Sequence, residues 1–203
     1  MFPDLRVCFA GDSFIAGVGD PEHLGWVGRI AARTHRAGQP LTTYNLGIRR
    51  NTSDDVIARW RVECAQRLPA DCTGMIVVSF GVNDTVIENG QLRVAFDRSK
   101  ANLTALLAQV QQGCWPVLVV GPVPVADDQH NRRISDLNET FHQICSVQQT
   151  RYVDVFRPLR ANSTWMHQVE NGDGAHPSAD GYAAYAELAW PHWSTWISQL
   201  RAS

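Results

Sequence analysis

Five short runs of strand character, each closed by a turn signal or a polar loop, alternate with segments of helical periodicity, and this alternation constrains the chain more than any other feature. The runs are Leu5–Ala10, Leu41–Leu46, Met75–Phe80, Pro116–Val120 and Tyr152–Phe156. They are too brief for helices, and most are too uniformly apolar for strands with one wet face, so they belong in a parallel sheet buried on both sides. Between them, Trp26–Arg36 carries Val27, Ile30 and Ala31 at helical spacing. Ile57, Trp60, Cys64 and Leu68 line a second helix. Leu103, Leu106, Leu107 and Val110 stripe a third that stops at Gly113, and Ile134, Leu137, Phe141, Ile144 and Cys145 share one side of a fourth. Strand–helix–strand crossovers are right-handed, which gives an α/β fold: a three-layer α/β/α sandwich around a five-stranded parallel sheet. No repeat, low-complexity tract or linker divides the 203 residues, so a single domain over 1–203 is expected.

Local signals add detail. Thr52 or Ser53 is placed to cap the second helix, with Asp54 and Asp55 favourable in its first turn. Asp127–Arg132 reads as a polar loop, and together with Pro122–Pro124 and Arg133 it is expected to border a ligand pocket. A looser segment crosses from the fifth strand to Asp173. Ser178 is placed to cap a last helix bearing Tyr182, Tyr185, Leu188 and Ala189. Pro191 is expected to kink or restart that helix, with Trp193, Trp196, Ile197 and Leu200 continuing an apolar face that packs on the core.

Composition removes several function classes. A net charge of −2 with no basic run argues against a nucleic-acid partner. With 44% hydrophobic and 19% charged residues the chain is of ordinary globular type rather than disordered. No apolar run approaches the roughly 20 residues of a membrane span. Met1-Phe2-Pro3-Asp4 does not open a secretory signal. Cys8, Cys64, Cys72, Cys114 and Cys145 are an odd, scattered set without a Cys-x-x-Cys pair. Cys8 and Cys145 read as core residues, and a reducing, cytoplasmic setting is expected. Gly17-Val18-Gly19 is followed by no Gly-Lys-Ser/Thr, so nucleotide binding is weakly supported.

The chemistry gathers at the strand ends. Gly11, Gly47, Gly81 and Gly121 each close a strand. In a parallel sheet these ends share one edge, where open α/β sheets place their ligands. Ser13 follows Gly11, Asn83 follows Gly81, and Gly47 offers a bare backbone N–H. Near the other end, Asp173-Gly174-Ala175-His176-Pro177 puts an acid and an imidazole on one short loop. Acyl transfer needs a nucleophile, a base, a group that orients the base, and donors aimed at the developing oxyanion. Ser13 suits the first role, His176 the second and Asp173 the third. The Ser13 N–H, the Gly47 N–H and the Asn83 side-chain amide suit the oxyanion hole. No other histidine has both an Asp three residues before it and a Pro after it, so His23, His35, His130, His142, His167 and His192 are read as surface or core residues. Asp12 and Asp84 are read first as turn or cap residues. There is no Gly-x-Ser-x-Gly, which sets aside the α/β-hydrolase arrangement with its serine in mid-chain.

These blocks carry a resemblance. Gly11-Asp12-Ser13-Phe14 (Phe standing where Leu is usual), Asn45-Leu46-Gly47, Gly81-Val82-Asn83-Asp84 and Asp173-Gly174-Ala175-His176-Pro177 stand in the order of the GDSL serine esterases and lipases, also called SGNH hydrolases. The resemblance implies a flavodoxin-like sandwich with strand order 2-1-3-4-5, and neither metal nor organic cofactor. It also implies a triad of Ser13, Asp173 and His176, and oxyanion donors at Ser13, Gly47 and Asn83. The reading is a hydrolase that cleaves small carboxylic esters through an acyl-enzyme. Short acyl chains are favoured because no long apolar insert is present to bury a long one. Two alternatives stay open: an acyltransferase using the same serine, and a flavodoxin-like binding module with an idle triad.

Overall fold

In the computed structural model, which describes residues 4–113 and 115–202, the five strands form one parallel sheet. They are β1 (Leu5–Gly11), β2 (Thr42–Gly47), β3 (Thr73–Ser79), β4 (Val117–Val120) and β5 (Arg151–Val153), in the order 2-1-3-4-5. Alternate side chains feed two separate cores. Leu5, Val7, Phe9, Met75 and Val77 join one. Cys8, Ala10, Ile76 and Val78 join the other. Both sets are buried, which is why the strands read as continuous apolar runs. The register sets Gly11 between Gly47 and Ser79, so the carboxyl ends of β2, β1 and β3 finish level.

Helices α1 (Ser13–Ala16), α2 (Gly25–Arg36) and α8 (Ala179–Ala202) contribute to the first core. Helices α3 (Ser53–Ala65), α4 (Phe96–Gly113) and α5 (Asp128–Val147) cover the second. Thr52 caps α3: its hydroxyl accepts the Asp55 N–H, and the Asp55 carboxylate accepts the Thr52 N–H in return. Among the described residues no helix is long and apolar enough to cross a membrane. The described cysteines, Cys8, Cys64, Cys72 and Cys145, are free. Cys8 and Cys145 are core residues, as read. Cys114 and the first three residues, on which the lack of a secretory segment was read, lie outside the described residues.

Four expectations are corrected. The fifth strand ends at Val153 because the Asp154 carboxylate takes the Phe156 N–H at 3.0 Å and turns the chain into α6 (Phe156–Arg160). The looser segment holds this helix and α7 (Ser163–Glu170), capped by the Asn162 side chain on the Trp165 N–H and anchored by buried Trp165, Met166 and Val169. The polar stretch from Asp127 is no loop: Asp127 caps α5 through the His130 N–H, and Asp128, Gln129 and Arg132 form the exposed side of its first turns. Helix α8 runs through Pro191 without a restart. Trp193, Trp196 and Ile197 beyond the proline are buried, as the apolar face required. A small antiparallel hairpin, Ile87–Glu88 with Gln91–Leu92, was not foreseen.

Candidate active site

The turn after β1 fixes Ser13. A side chain at Gly11 would place its Cβ 2.0 Å from the Ser79 carbonyl oxygen, so only glycine lets β1 and β3 close up here. Asp12 then caps α1, its carboxylate accepting the Phe14 N–H at 3.0 Å. Ser13 is the first residue of α1, where backbone N–H groups have no intrahelical partner.

From the far end of the chain, His176 meets it. Its Nε2 lies 2.7 Å from Ser13 Oγ, and its Nδ1 lies 2.7 Å from Asp173 Oδ2. The other Asp173 oxygen accepts the backbone N–H groups of His176 at 2.8 Å and Ala175 at 3.0 Å. Partial burial works to raise the Asp173 pKa, but those N–H groups and the imidazole outweigh it and hold it at about 2. An ionised Asp173 takes the proton on Nδ1, which leaves Nε2 as the acceptor facing the Ser13 hydroxyl. The Phe14 ring lies against the imidazole, centroids 5.0 Å apart, and holds its outer face. The loop is braced from behind, where the Gly174 carbonyl accepts the Ala126 N–H at 2.9 Å.

The structure also brings Asn83 to this edge. Its Nδ2 donates to the Asn51 carbonyl at 3.0 Å and lies 3.5 Å from Asp12 Oδ2. One amide proton is therefore held and fixes the carboxamide; the other is only loosely engaged. The turn beneath it is pinned by His130, whose Nε2 sits 2.9 Å from Thr85 Oγ1 and 3.1 Å from the Val82 carbonyl. Burial pushes the His130 pKa down, so this imidazole stays neutral. Asp84 is a cap, as read, but for a distant helix: it accepts the Ser53 N–H at the start of α3 and the Ser99 hydroxyl, both at 2.7 Å.

Gly47, expected as an oxyanion donor, lies at the end of β2. Its N–H donates to Asn45 Oδ1 at 3.0 Å and is thus already engaged. Glycine is needed there for space, because a Cβ would lie 2.2 Å from Ala16 N and 2.7 Å from the Asp12 carbonyl. Three residues on, Arg50 has a left-handed backbone with φ of 69°. No described residue accepts its N–H. Sequence reasoning passed over Arg50 because a positive φ at arginine leaves no mark in residue type. It passed over Arg49 as well, whose guanidinium lies 3.6 Å from Asp173 Oδ2.

A cleft of about 440 Å³ opens beside the imidazole, lined by Asp173, His176 and Pro177 and by His167, Gln168 and Asn171 around the end of α7. The pocket wall on this side thus comes from the segment read as looser, not from Asp127–Arg133. Among the described residues no three His, Cys, Asp or Glu side chains gather as a metal-binding group.

A family model described as the GDSL-like lipase/acylhydrolase family matches residues 9–184. No curated protein sequence matches the chain. Solved structures share the fold at low identity. A lipase/acylhydrolase from Enterococcus faecalis is 19% identical, covers 93% of this chain and 94% of its own, and gives a TM-score of 0.76. The acetylxylan esterase Axe2 from Geobacillus stearothermophilus is 18% identical over 92% of this chain and 93% of its own, with a TM-score of 0.72. The psychrotrophic esterase EstA from Pseudoalteromonas sp., in a structure inhibited by monoethylphosphonate, is 17% identical over 96% of this chain and 100% of its own, with a TM-score of 0.74.

Proposed function

The chain belongs to the GDSL-like lipase/acylhydrolase family and is a carboxylic ester hydrolase, and we propose that it works through an acyl-enzyme on Ser13. The observation that carries this reading is the unbroken proton path Ser13 Oγ, His176 Nε2, His176 Nδ1, Asp173 Oδ2, with 2.7 Å at both hydrogen bonds. In this mechanism Ser13 Oγ attacks the ester carbonyl and its proton passes to His176 Nε2. Asp173 stabilises the imidazolium that forms. His176 then delivers the proton to the departing alkoxide, and a water molecule repeats the sequence to release the acid.

Negative charge on the former carbonyl oxygen is met by the Ser13 N–H and the loosely held proton of Asn83 Nδ2. For the third donor we assign the Arg50 N–H in place of Gly47, because the Gly47 N–H is taken by Asn45 while that of Arg50 has no partner. Each such donor is worth roughly 2.7–4 kcal/mol of barrier. An open cleft of about 440 Å³ beside the imidazole supports short acyl esters as substrates.

The test is covalent. A fluorophosphonate probe should label the wild type on Ser13, and Ser13→Ala should abolish both labelling and p-nitrophenyl acetate turnover while the circular dichroism spectrum is kept. A wild type that resists the probe and leaves the ester intact would favour a binding module with an idle triad.

A further inference from the structure

The oxyanion donors come from separate backbone segments, and something must set their distance. Arg59, on α3, spans them. Its Nη2 donates to the Gly11 carbonyl at 2.8 Å and its Nε donates to Asn51 Oδ1 at 2.8 Å. Its Nη1 is held from outside by Glu63 Oε2 at 3.0 Å, and the side chain is only 16% exposed. Gly11 leads directly into the Ser13 turn. The Asn51 carbonyl is the acceptor that fixes Asn83 Nδ2, at 3.0 Å. Without the guanidinium, the described residues would tie the segment 48–51 to the end of β1 only through the Ile48 N–H, which shares the Gly11 carbonyl at 3.1 Å.

We propose that Arg59 is a positioning residue that sets the separation of the Ser13 turn from the Asn83 amide, acting through Asn51. The proposal rests on the reading of Ser13 and Asn83 given above. A guanidinium is a rigid planar fork with donors at fixed angles, so one side chain can hold two acceptors at a set spacing. A lysine keeps the charge but is a point donor on a flexible stem and cannot span both. A misplacement of about 1 Å at an oxyanion donor is enough to cost on the order of 100-fold in rate.

A double-mutant cycle tests this with p-nitrophenyl acetate: kcat, KM and Tm of the wild type, Arg59→Lys, Asn83→Ala and the double variant. Arg59→Lys should lower kcat at least about tenfold in the wild-type background, with KM within about twofold. In the Asn83→Ala background it should lower kcat less than about threefold, because the donor it positions is already gone. Equal factors in the two backgrounds, or an unchanged kcat, would overturn the proposal. If Arg59→Lys does not fold, Asn51→Ala cuts the Nε link with the guanidinium left in place and is judged by the same two criteria. Asn83→Ala alone reports on the underlying reading. If it leaves kcat intact, Asn83 is no oxyanion donor and the proposal falls with it. If it lowers kcat and Arg59→Lys is still additive, only the role of Arg59 is lost.

Discussion

Asp12 carries a carboxyl with almost no access to water, one residue before Ser13. Burial pushes its pKa up to about 7, the nearby Asp84 adds to the shift, and the Phe14 N–H only partly offsets it. The folded state therefore holds this proton at pH values where the unfolded chain has released it. Stability from this group is fully present below the ordinary aspartate value near 4. It falls as pH rises towards 7, by up to about 1.4 kcal/mol per pH unit. Asp12→Asn keeps a cap acceptor for Phe14 and removes the titration. The fall in Tm between pH 5 and pH 8 should be smaller in that variant; an equal fall would refute the shift. Asp84, raised by its own burial, leaves some of the slope in place. At this scale the sequence was most readable where chemistry resides in the residue type. A serine, an imidazole and an acid three residues from it suggest the roles proposed for them, and the structure brings all three together. The roles proposed for Arg50 and Arg59 leave no such mark, because one rests on a backbone angle and the other on contacts that only the fold creates.

The segment from β2 to α3 shows how one element can mix required and replaceable positions. Gly47→Ala would drive a Cβ into the backbone of Ala16 and Asp12, atoms that cannot step aside as a side-chain tip would. Overpacking of this kind costs about 1–3 kcal/mol or more, so Tm should drop by at least about 2–4 °C. Arg50 makes the opposite case. A left-handed residue other than glycine costs roughly 1–2 kcal/mol, so Arg50→Gly should keep kcat within about threefold, whereas Arg50→Ile should lower it at least about tenfold by displacing the N–H. Equal kcat in the two variants would remove this N–H from the oxyanion hole. The same scale shows what the sequence conceals. Buried parallel strands and long amphipathic helices declare themselves by period. α6 and α7 are too short to show one, and the polar first turns of α5 look like a loop until Asp127 is seen to cap them.

Across the whole molecule the two cores divide the labour. Trp193 stacks on Phe9 of β1 with centroids 5.5 Å apart, and its indole N–H donates to Thr34 Oγ1 at 2.8 Å. It touches none of the candidate catalytic groups. Trp193→Ala should cost about 3–5 kcal/mol of stability yet leave kcat unchanged well below the new Tm; a matching loss of kcat would show that a cavity at Trp193 is felt at the site. The layer architecture was legible because five strand signals and their intervening helices leave few topologies to choose from. The fine placement of the pocket was not, since it depends on how α7 docks. The hydroxyl and the imidazole that meet at the sheet edge are separated by 163 residues. At synthesis rates of about 5–20 residues per second, the growing chain carries its serine for on the order of ten to thirty seconds before the partner leaves the ribosome. On the mechanism proposed above, a nascent molecule is inert towards the esters around it until that partner has emerged.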